Sequence, residues 1–341
     1  MMTNLVEETR FLNSSTFSQK QPEEAIENTH QGWFVVADET GRCLYRSALA
    51  AETCSSFFRS CAKPFQALPL VLEGFHTHWD PKTLAVICSS HSGAPEHTTR
   101  VSKILSAAGL SADDLQCGIH EPLDTETKLI LNQDNQPATR LHHNCSGKHA
   151  GMLFYCVAMG EETASYLKPT HPVQQKILQG IQAYSGLDSI PTGIDGCGTP
   201  VYALPLKTMA KLYARLQTED VFQPIRSAMC TYPLLVAGKN RIDTAIMTAS
   251  GGKILSKVGA DGVICLSRIN ESSGRAEGLA FKLASGRNSV RDIAIVLILE
   301  KLGWLSTEEL AHPLLHFFYS KQSRKNTHDQ SVGRVVINLA Q

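Results

Sequence analysis

Two short segments of the chain combine a cysteine with small, turn-forming residues and ionisable groups. They are residues 144–149, with the sequence NCSGKH, and residues 195–200, with the sequence DGCGTP. Glycine and serine beside a cysteine leave its sulfur accessible and allow backbone to approach it closely. Two such cysteine segments far apart in the chain suggest a single site that folding assembles. The pattern predicts a metal site or a nucleophilic thiol.

A metal site would draw first on Cys145 and Lys148, which stand three apart at a predicted helix start, and Cys197 would complete the set if the fold brings it near. Thiolates are ordinary zinc ligands. A lysine binds only as the neutral amine, so the site would have to lower its pKa. The spacing is not that of a zinc finger, and buried thiols beside a solvated lysine are an equally open interpretation. More conventional ligands are offered by the histidines at 142, 143 and 149.

A Ser-x-x-Lys pattern is formed by Ser60 and Lys63 at the start of another predicted helix. Residues three apart share one face of a helix, so the amine can reach the hydroxyl. A lysine acts as a base when burial or a nearby cation lowers its pKa, and Arg59 is such a cation. A helix cap with a solvated lysine is the alternative interpretation.

Two further segments supply hydroxyls and a cation. Residues 84–88 are apolar and predict a short strand, which leads into the loop 89–93 with the sequence SSHSG. Such loops often carry active-site hydroxyls, although a capping loop for the next helix would look the same. Lys257 precedes a glycine-rich turn between two predicted strands, which is either a chemical element or an ordinary hairpin loop.

The order of the predicted elements bounds the fold. Strand patterns occur towards both ends of the chain and helix patterns dominate the middle, which favours an α+β fold whose sheet joins both ends. We expect a loosely ordered polar leader over 1–31, then a single domain over 32–341 or two closely packed lobes. Helices are predicted over 60–72, 95–108, 150–159, 172–184, 202–216 and 292–302.

Composition excludes several classes of protein. Lysine plus arginine and aspartate plus glutamate both total 32, so no basic field favours nucleic acid. The apolar run 293–299 is far too short to span a bilayer, which takes about 20 residues. Ten cysteines are dispersed along the chain without a secretory signal, which is typical of reduced thiols. We therefore expect a cytoplasmic protein with neither a nucleic-acid nor a membrane partner.

Taken together, six motifs resemble the rhizobial-type (thermolabile) L-asparaginase family, also called asparaginase II. The resemblance covers about residues 32 to 335, and the block around Cys145 is its most specific part. The motifs follow one another in the order RSCAKPFQ at 59–66, SHSG at 90–93, HNCSGKHAGM at 143–152, DGCGTP at 195–200, LVAG at 235–238 and KVGADGV at 257–263.

The resemblance implies a fold similar to serine β-lactamases and glutaminases, with a mainly antiparallel sheet flanked by helices, and a homodimer. It implies hydrolysis of L-asparagine to L-aspartate and ammonia. It also implies two serine–lysine pairs, Ser60 with Lys63 and Ser90 with Lys257, although Ser89 and Ser92 lie close to the second serine. The implied metal is one zinc per chain, held by Cys145, Lys148 and Cys197 with a water. Arg59, His149 and Asp195 are the implied substrate-binding residues, and Asp195 would lie beside that water.

On this basis we expect Ser60 to be the nucleophile and Lys63 its base, with Ser90 and Lys257 relaying protons. Zinc-bound hydroxide is the competing nucleophile. Two thiolates weaken the Lewis acidity of the metal, which favours a zinc that orients the substrate. Other classes remain as alternatives: a β-lactamase-like serine acylhydrolase, or an inactive, zinc-stabilised relative that binds amino acids.

Overall fold

The computed structural model describes residues 4–11 and 24–338. The strands in these ranges are β1 Asn4–Phe11, β2 Glu24–Ala37, β3 Cys43–Arg46, β4 Ser55–Phe57, β5 Thr192–Ile194, β6 Pro200–Pro205, β7 Ile254–Val258, β8 Val263–Ile269, β9 Ala276–Leu283, β10 Ser323–Lys325 and β11 Ser331–Ile337. The helices are α1 Lys63–Gln66, α2 Leu68–Leu72, α3 Pro81–Ile87, α4 Pro95–Ala107, α5 Thr125–Gln133, α6 Ser146–Ala158, α7 Pro172–Ser185, α8 Leu206–Thr218, α9 Gln223–Thr231, α10 Pro233–Val236, α11 Ile242–Ala249, α12 Asn288–Lys301, α13 Thr307–Ala311 and α14 Pro313–Tyr319. No helix of the described ranges has the length and apolar character needed to cross a membrane.

The main sheet is antiparallel and joins both ends of the described chain. Its strands lie in the order β10-β11-β1-β2-β9-β8-β7, and β3 pairs with β2 beside this path. The long strand β2 connects the two halves, because its first part pairs with β1 and its last part with β9. A second, small sheet has the order β4-β6-β5.

Helices cover both faces of the main sheet, and the side chains of β2 show why. Val35 and Ala37 point into one buried cluster, whereas Phe34 and Val36 point into another. Successive side chains of a strand face opposite sides, so an all-apolar strand requires a helical layer on each face. Helix α8 packs against β9 and β8 on the first face, and α12 contributes to the second cluster.

The predicted α+β fold with a mainly antiparallel sheet flanked by helices is confirmed. The two strands predicted around the glycine-rich turn near Lys257 are also found, as β7 and β8. The expected similarity to serine β-lactamases and glutaminases, and the division into a leader and one domain, stay predictions.

Two local predictions, over residues 84–88 and 202–216, differ from the structure. Residues 84–88 were expected to form a strand but belong largely to α3, whose N-cap Asp80 accepts the Lys82 N–H. The apolar run is buried on all sides, and such a run does not distinguish a strand from a buried helix. The helix expected over 202–216 begins only at Leu206, because residues 200–205 pair as β6 between β4 and β5.

The expected leader also contains regular structure. Strand β1 and the first residues of β2 lie within 1–31 and pair with each other. The side chains of Leu5 and Val6 are fully buried, which explains why this polar segment nevertheless joins the sheet. The rest of the predicted leader, residues 1–3 and 12–23, lies outside the described residues.

Candidate active site

Lys63 is the centre of the candidate site. It begins α1, directly after a 3-10 turn over Arg59–Ala62, and Pro64 follows where a helix tolerates its missing N–H. Phe58 and Phe65 pack against each other on the two sides of this turn, with ring centroids 5.6 Å apart. The lysine side chain is fully buried. Burial lowers the pKa of Lys63 to about 8, because a charged amine loses its hydration there.

The Lys63 amine is held by groups from two other segments. It donates to Ser90 Oγ at 3.0 Å and to the backbone oxygens of Ser89 and Asn144. Ser90 is itself fixed, since its N–H donates to Val236 O at 2.9 Å. The structure therefore brings a serine hydroxyl and a lysine of lowered pKa into direct contact inside the protein.

The other candidate serines have different surroundings. Ser89 Oγ donates to Val86 O at 2.6 Å, as in a helix-end turn. Ser92 Oγ is buried and has no hydrogen-bond partner among the described residues. Ser60 is half-buried in the same turn as Lys63, but within the described ranges no hydrogen bond joins its hydroxyl to the Lys63 amine. Of these hydroxyls, the structure pairs only that of Ser90 with Lys63.

Lys257 lies in β7 and pairs with a carboxylate. Its amine is 3.6 Å from Asp243 Oδ2, and neither side chain is exposed to solvent. Asp243 also accepts hydrogen bonds from Ser256 Oγ at 2.7 Å and from the Val258 N–H at 3.0 Å. Burial lowers the pKa of Lys257, and the Asp243 carboxylate opposes this. The structure shows no hydrogen bond between Lys257 and Ser90 in the described part of the chain.

The two cysteine segments do meet. Cys145 caps α6, Lys148 lies in its first turn, and Cys197 arrives in the loop between β5 and β6. Thr199 Oγ1 accepts from the Lys148 amine at 2.8 Å and lies 3.3 Å from Cys197 Sγ. All three predicted ligands are buried. This centre adjoins Lys63, which bonds to the carbonyl of Asn144, the residue before Cys145.

The electrostatics of this cluster favour a thiolate beside a protonated amine. A hydrogen bond from Cys145 lowers the pKa of Cys197 far below its usual value, although burial opposes this, and the nearby Lys148 lowers it further. Burial acts against charge on Lys148, but the sulfurs of Cys197 and Cys145 raise the pKa of its amine above the ordinary value. The two buried sulfurs are ordinary zinc ligands and fit the implied metal. The Lys148 amine could join them only after losing the proton that this site favours.

The predicted substrate-binding residues lie around these two centres. Arg59 pairs with Asp195 Oδ1 at 3.1 Å and with the exposed Asp261 at 3.2 Å. Its backbone has φ of 52°, in the left-handed region that costs a non-glycine residue about 1–3 kcal/mol. His149 is buried against the thiol cluster: its Nδ1 contacts Tyr166 Oη at 2.7 Å, and its Nε2 makes no well-formed hydrogen bond within the described ranges.

Several residues of the site carried no prediction of their own. Asp243 was missed, although a lone carboxylate within the apolar helix α11 is a recognisable signal of a buried ion pair. His91 was named only as part of its loop, yet its Nε2 lies 2.9 Å from Ser146 Oγ and so ties the Ser90 loop to the start of α6. Tyr166 has no distinctive sequence context, and only the fold reveals its contact with His149.

A buried lysine of lowered pKa against a serine hydroxyl, beside a thiol cluster, defines a candidate hydrolytic centre on an α+β fold. The sequence model of the family described as L-asparaginase II matches residues 21–337 of the chain. The protein therefore belongs to the L-asparaginase II family, as its motifs predicted, and is an amidohydrolase of the L-asparaginase type. A comparison with curated individual proteins gives no match.

Proposed function

We propose that the protein hydrolyses L-asparagine to L-aspartate and ammonia by means of a serine that Lys63 activates. The observation that carries this proposal is the 3.0 Å hydrogen bond between Lys63 Nζ and Ser90 Oγ. With a pKa of about 8, an appreciable fraction of Lys63 is neutral near neutral pH and able to accept a proton. Ser90 thus takes the role that the sequence led us to expect for Ser60.

In the proposed reaction, Ser90 Oγ attacks the side-chain amide carbon of the substrate and its proton passes to Lys63 Nζ. The protonated lysine then donates that proton to the amide nitrogen, and ammonia leaves as the carbon–nitrogen bond breaks. A water molecule attacks the resulting acyl-enzyme ester, giving its proton to Lys63. The free carboxylic acid leaves and the serine recovers its proton, which completes the cycle.

Lys257 acts differently from Lys63 in this proposal. Its contact with the Asp243 carboxylate favours the charged amine, so it supplies a buried positive charge rather than a base. Burial is the main cause that lowers the pKa of Lys63, and the charges of Lys148 and then Lys257 lower it further. Lys257 therefore helps to keep the neutral form of Lys63 accessible.

We propose that Cys145, Lys148 and Cys197 hold one zinc ion beside this centre. Zinc would supply positive charge that anchors and orients the substrate. Lys148 must lose its proton to bind the metal, so uptake of zinc releases protons. The donor set and the burial of all three residues support this assignment.

We assign recognition of the α-amino and α-carboxylate groups of the substrate to the ion pair of Arg59 and Asp195. The Arg59 guanidinium matches an α-carboxylate, and the Asp195 carboxylate matches an α-ammonium group. Both groups already face each other at 3.1 Å, so a zwitterionic substrate would exchange one ion pair for two. His149, which is buried next to Cys197, is assigned to the same end of the substrate.

The assembly and cellular location are further proposals. We propose a homodimer, which would have twice the 37.3 kDa mass of one chain in sedimentation analysis. All ten cysteines are unpaired thiols in the structure, which supports a reducing cytoplasm.

Release of ammonia from L-asparagine and from L-glutamine, measured on the purified protein beside the ring opening of a β-lactam, tests the substrate assignment. We expect release from L-asparagine and no opening of the β-lactam ring. Absence of ammonia from L-asparagine would overturn the proposal, and ring opening of the β-lactam alone would favour the acylhydrolase alternative.

A further inference from the structure

A second cluster of metal-ligating side chains lies at the other end of α6, away from the thiol centre. Cys156 is in the last turns of this helix, Glu161 follows in the connection to α7, and His171 is the N-cap residue of α7. Their potential ligand atoms all lie within 4.8 Å of one another. Cys156 lies eight residues after Lys148, which corresponds to about 12 Å along the helix.

The hydrogen bonds of His171 fix which of its nitrogens carries a proton. Nε2 lies 2.7 Å from the carbonyl oxygen of Glu162, which can only accept, so Nε2 carries the proton. Nδ1 accepts the Val173 N–H at 3.2 Å, so Nδ1 carries a lone pair. Metal-binding histidines commonly show this arrangement, in which the distal N–H donates to a carbonyl and orients the ring.

Near the Nδ1 atom of His171 lies a carboxylate oxygen that lacks a hydrogen-bond donor. Glu161 Oε2 lies 3.9 Å from Nδ1, has no accessible surface, and has no hydrogen-bond partner among the described residues. Leaving a buried carboxylate oxygen unsatisfied is costly. The thiol of Cys156, which is fully buried, is the third electron-pair donor, and the three ligand atoms lie within 4.8 Å of one another.

We propose that Cys156, Glu161 and His171 bind a zinc ion, separate from the one assigned to Cys145, Lys148 and Cys197. One sulfur, one imidazole nitrogen and one carboxylate oxygen suit zinc, with water as a fourth ligand. Binding of the metal releases the thiol proton of Cys156. The metal would also bind the Nδ1 lone pair of His171, which accepts the Val173 N–H in this structure.

Such a site would brace the connection between α6 and α7. That connection carries Tyr166, whose hydroxyl lies 2.7 Å from His149 Nδ1 and accepts the Gln116 N–H at 3.0 Å. A metal bound at both ends of the connection would hold Tyr166 against His149. The role we infer is therefore structural support of the active site and not catalysis.

The test is zinc content per chain, measured by elemental analysis after zinc loading and removal of excess metal. Glu161→Gln removes a ligand charge with little change of shape, and Glu162→Gln is the matched control. We expect the first variant to hold one zinc fewer than the unaltered protein and the control to hold the same amount. Cys197→Ser should not abolish this difference, since it affects the other centre.

Equal zinc content in Glu161→Gln and the unaltered protein would overturn the proposal. Because Cys156→Ser removes a ligand by a different change, it serves as a second variant and should also lose one zinc. The zinc readout does not depend on the reaction: absence of asparaginase activity from the unaltered protein, with this zinc difference intact, would refute the proposed function alone.

Discussion

Replacing Asp243 by asparagine is expected to destabilise the protein strongly, because it leaves Lys257 as an unpaired buried cation. The two side chains are fully buried and 3.6 Å apart. Removing one partner of a buried ion pair typically costs about 3–5 kcal/mol. Asparagine retains one oxygen for the bond from Ser256 or the Val258 N–H but not for both, so we expect the upper part of this range.

The pH dependence of this loss provides a second check. Burial already lowers the pKa of Lys257, and the substitution removes the carboxylate that opposes this shift. Below its folded-state pKa, the Lys257 amine of the variant is charged in the folded and in the unfolded protein. The folded state then carries the full free-energy cost of a buried, unpaired charge. Above that pKa the folded state releases its proton first, so the penalty falls by about 1.4 kcal/mol per pH unit until the unfolded amine also titrates.

Urea denaturation of the unaltered protein and of Asp243→Asn, monitored by circular dichroism at pH 7 and pH 9.5, measures their free energies of unfolding. The matched control is Asp261→Asn, because Asp261 is largely exposed and its pair with Arg59 should contribute no more than about 1 kcal/mol. An Asp243→Asn variant as stable as this control, or one whose deficit grows with pH, would refute the reasoning.

Three further predictions concern the two proposed centres and their packing. The value of kcat/KM should rise with pH through an apparent pKa of about 8 as Lys63 becomes neutral, and a flat profile from pH 6 to 10 would contradict its role as the base. Gly147→Ala should destabilise the protein by at least about 1–3 kcal/mol, because the new Cβ would lie 2.2 Å from Val86 O. Gly196→Ala, where that Cβ meets nothing within 4 Å, is its control, and equal urea midpoints would contradict the packing argument. Lys148→Met should lose zinc from the first centre in equilibrium dialysis, and undiminished retention would show that Lys148 is not a ligand.

The parts of the site that depend on local spacing could be predicted from the sequence. Cys145 and Lys148 are three residues apart at a helix start, so their proximity follows from helical geometry. That Cys197 joins them could be inferred only through the family resemblance, because the contact spans about 50 residues. The helices beginning at Pro95 and Pro172 were also predictable, since each has proline at its first position.

The partner of Lys63 could not be predicted from spacing. Ser60 stands three residues away in the sequence, but the buried amine turns towards Ser90, which a different segment supplies. The error over residues 84–88 has a related origin, since a short apolar run fits both a strand and a buried helix until its tertiary surroundings are known. Asp243 illustrates the same limit, because its significance depends on Lys257 in another element.

The measurement that tests the central claim most directly is the rate of ammonia release from saturating L-asparagine by the Ser90→Ala and Ser60→Ala variants. With Ser90 as the Lys63-activated nucleophile, Ser90→Ala should lose several orders of magnitude in kcat, while Ser60→Ala retains most of its turnover. Near-normal turnover by a correctly folded Ser90→Ala protein would contradict the account.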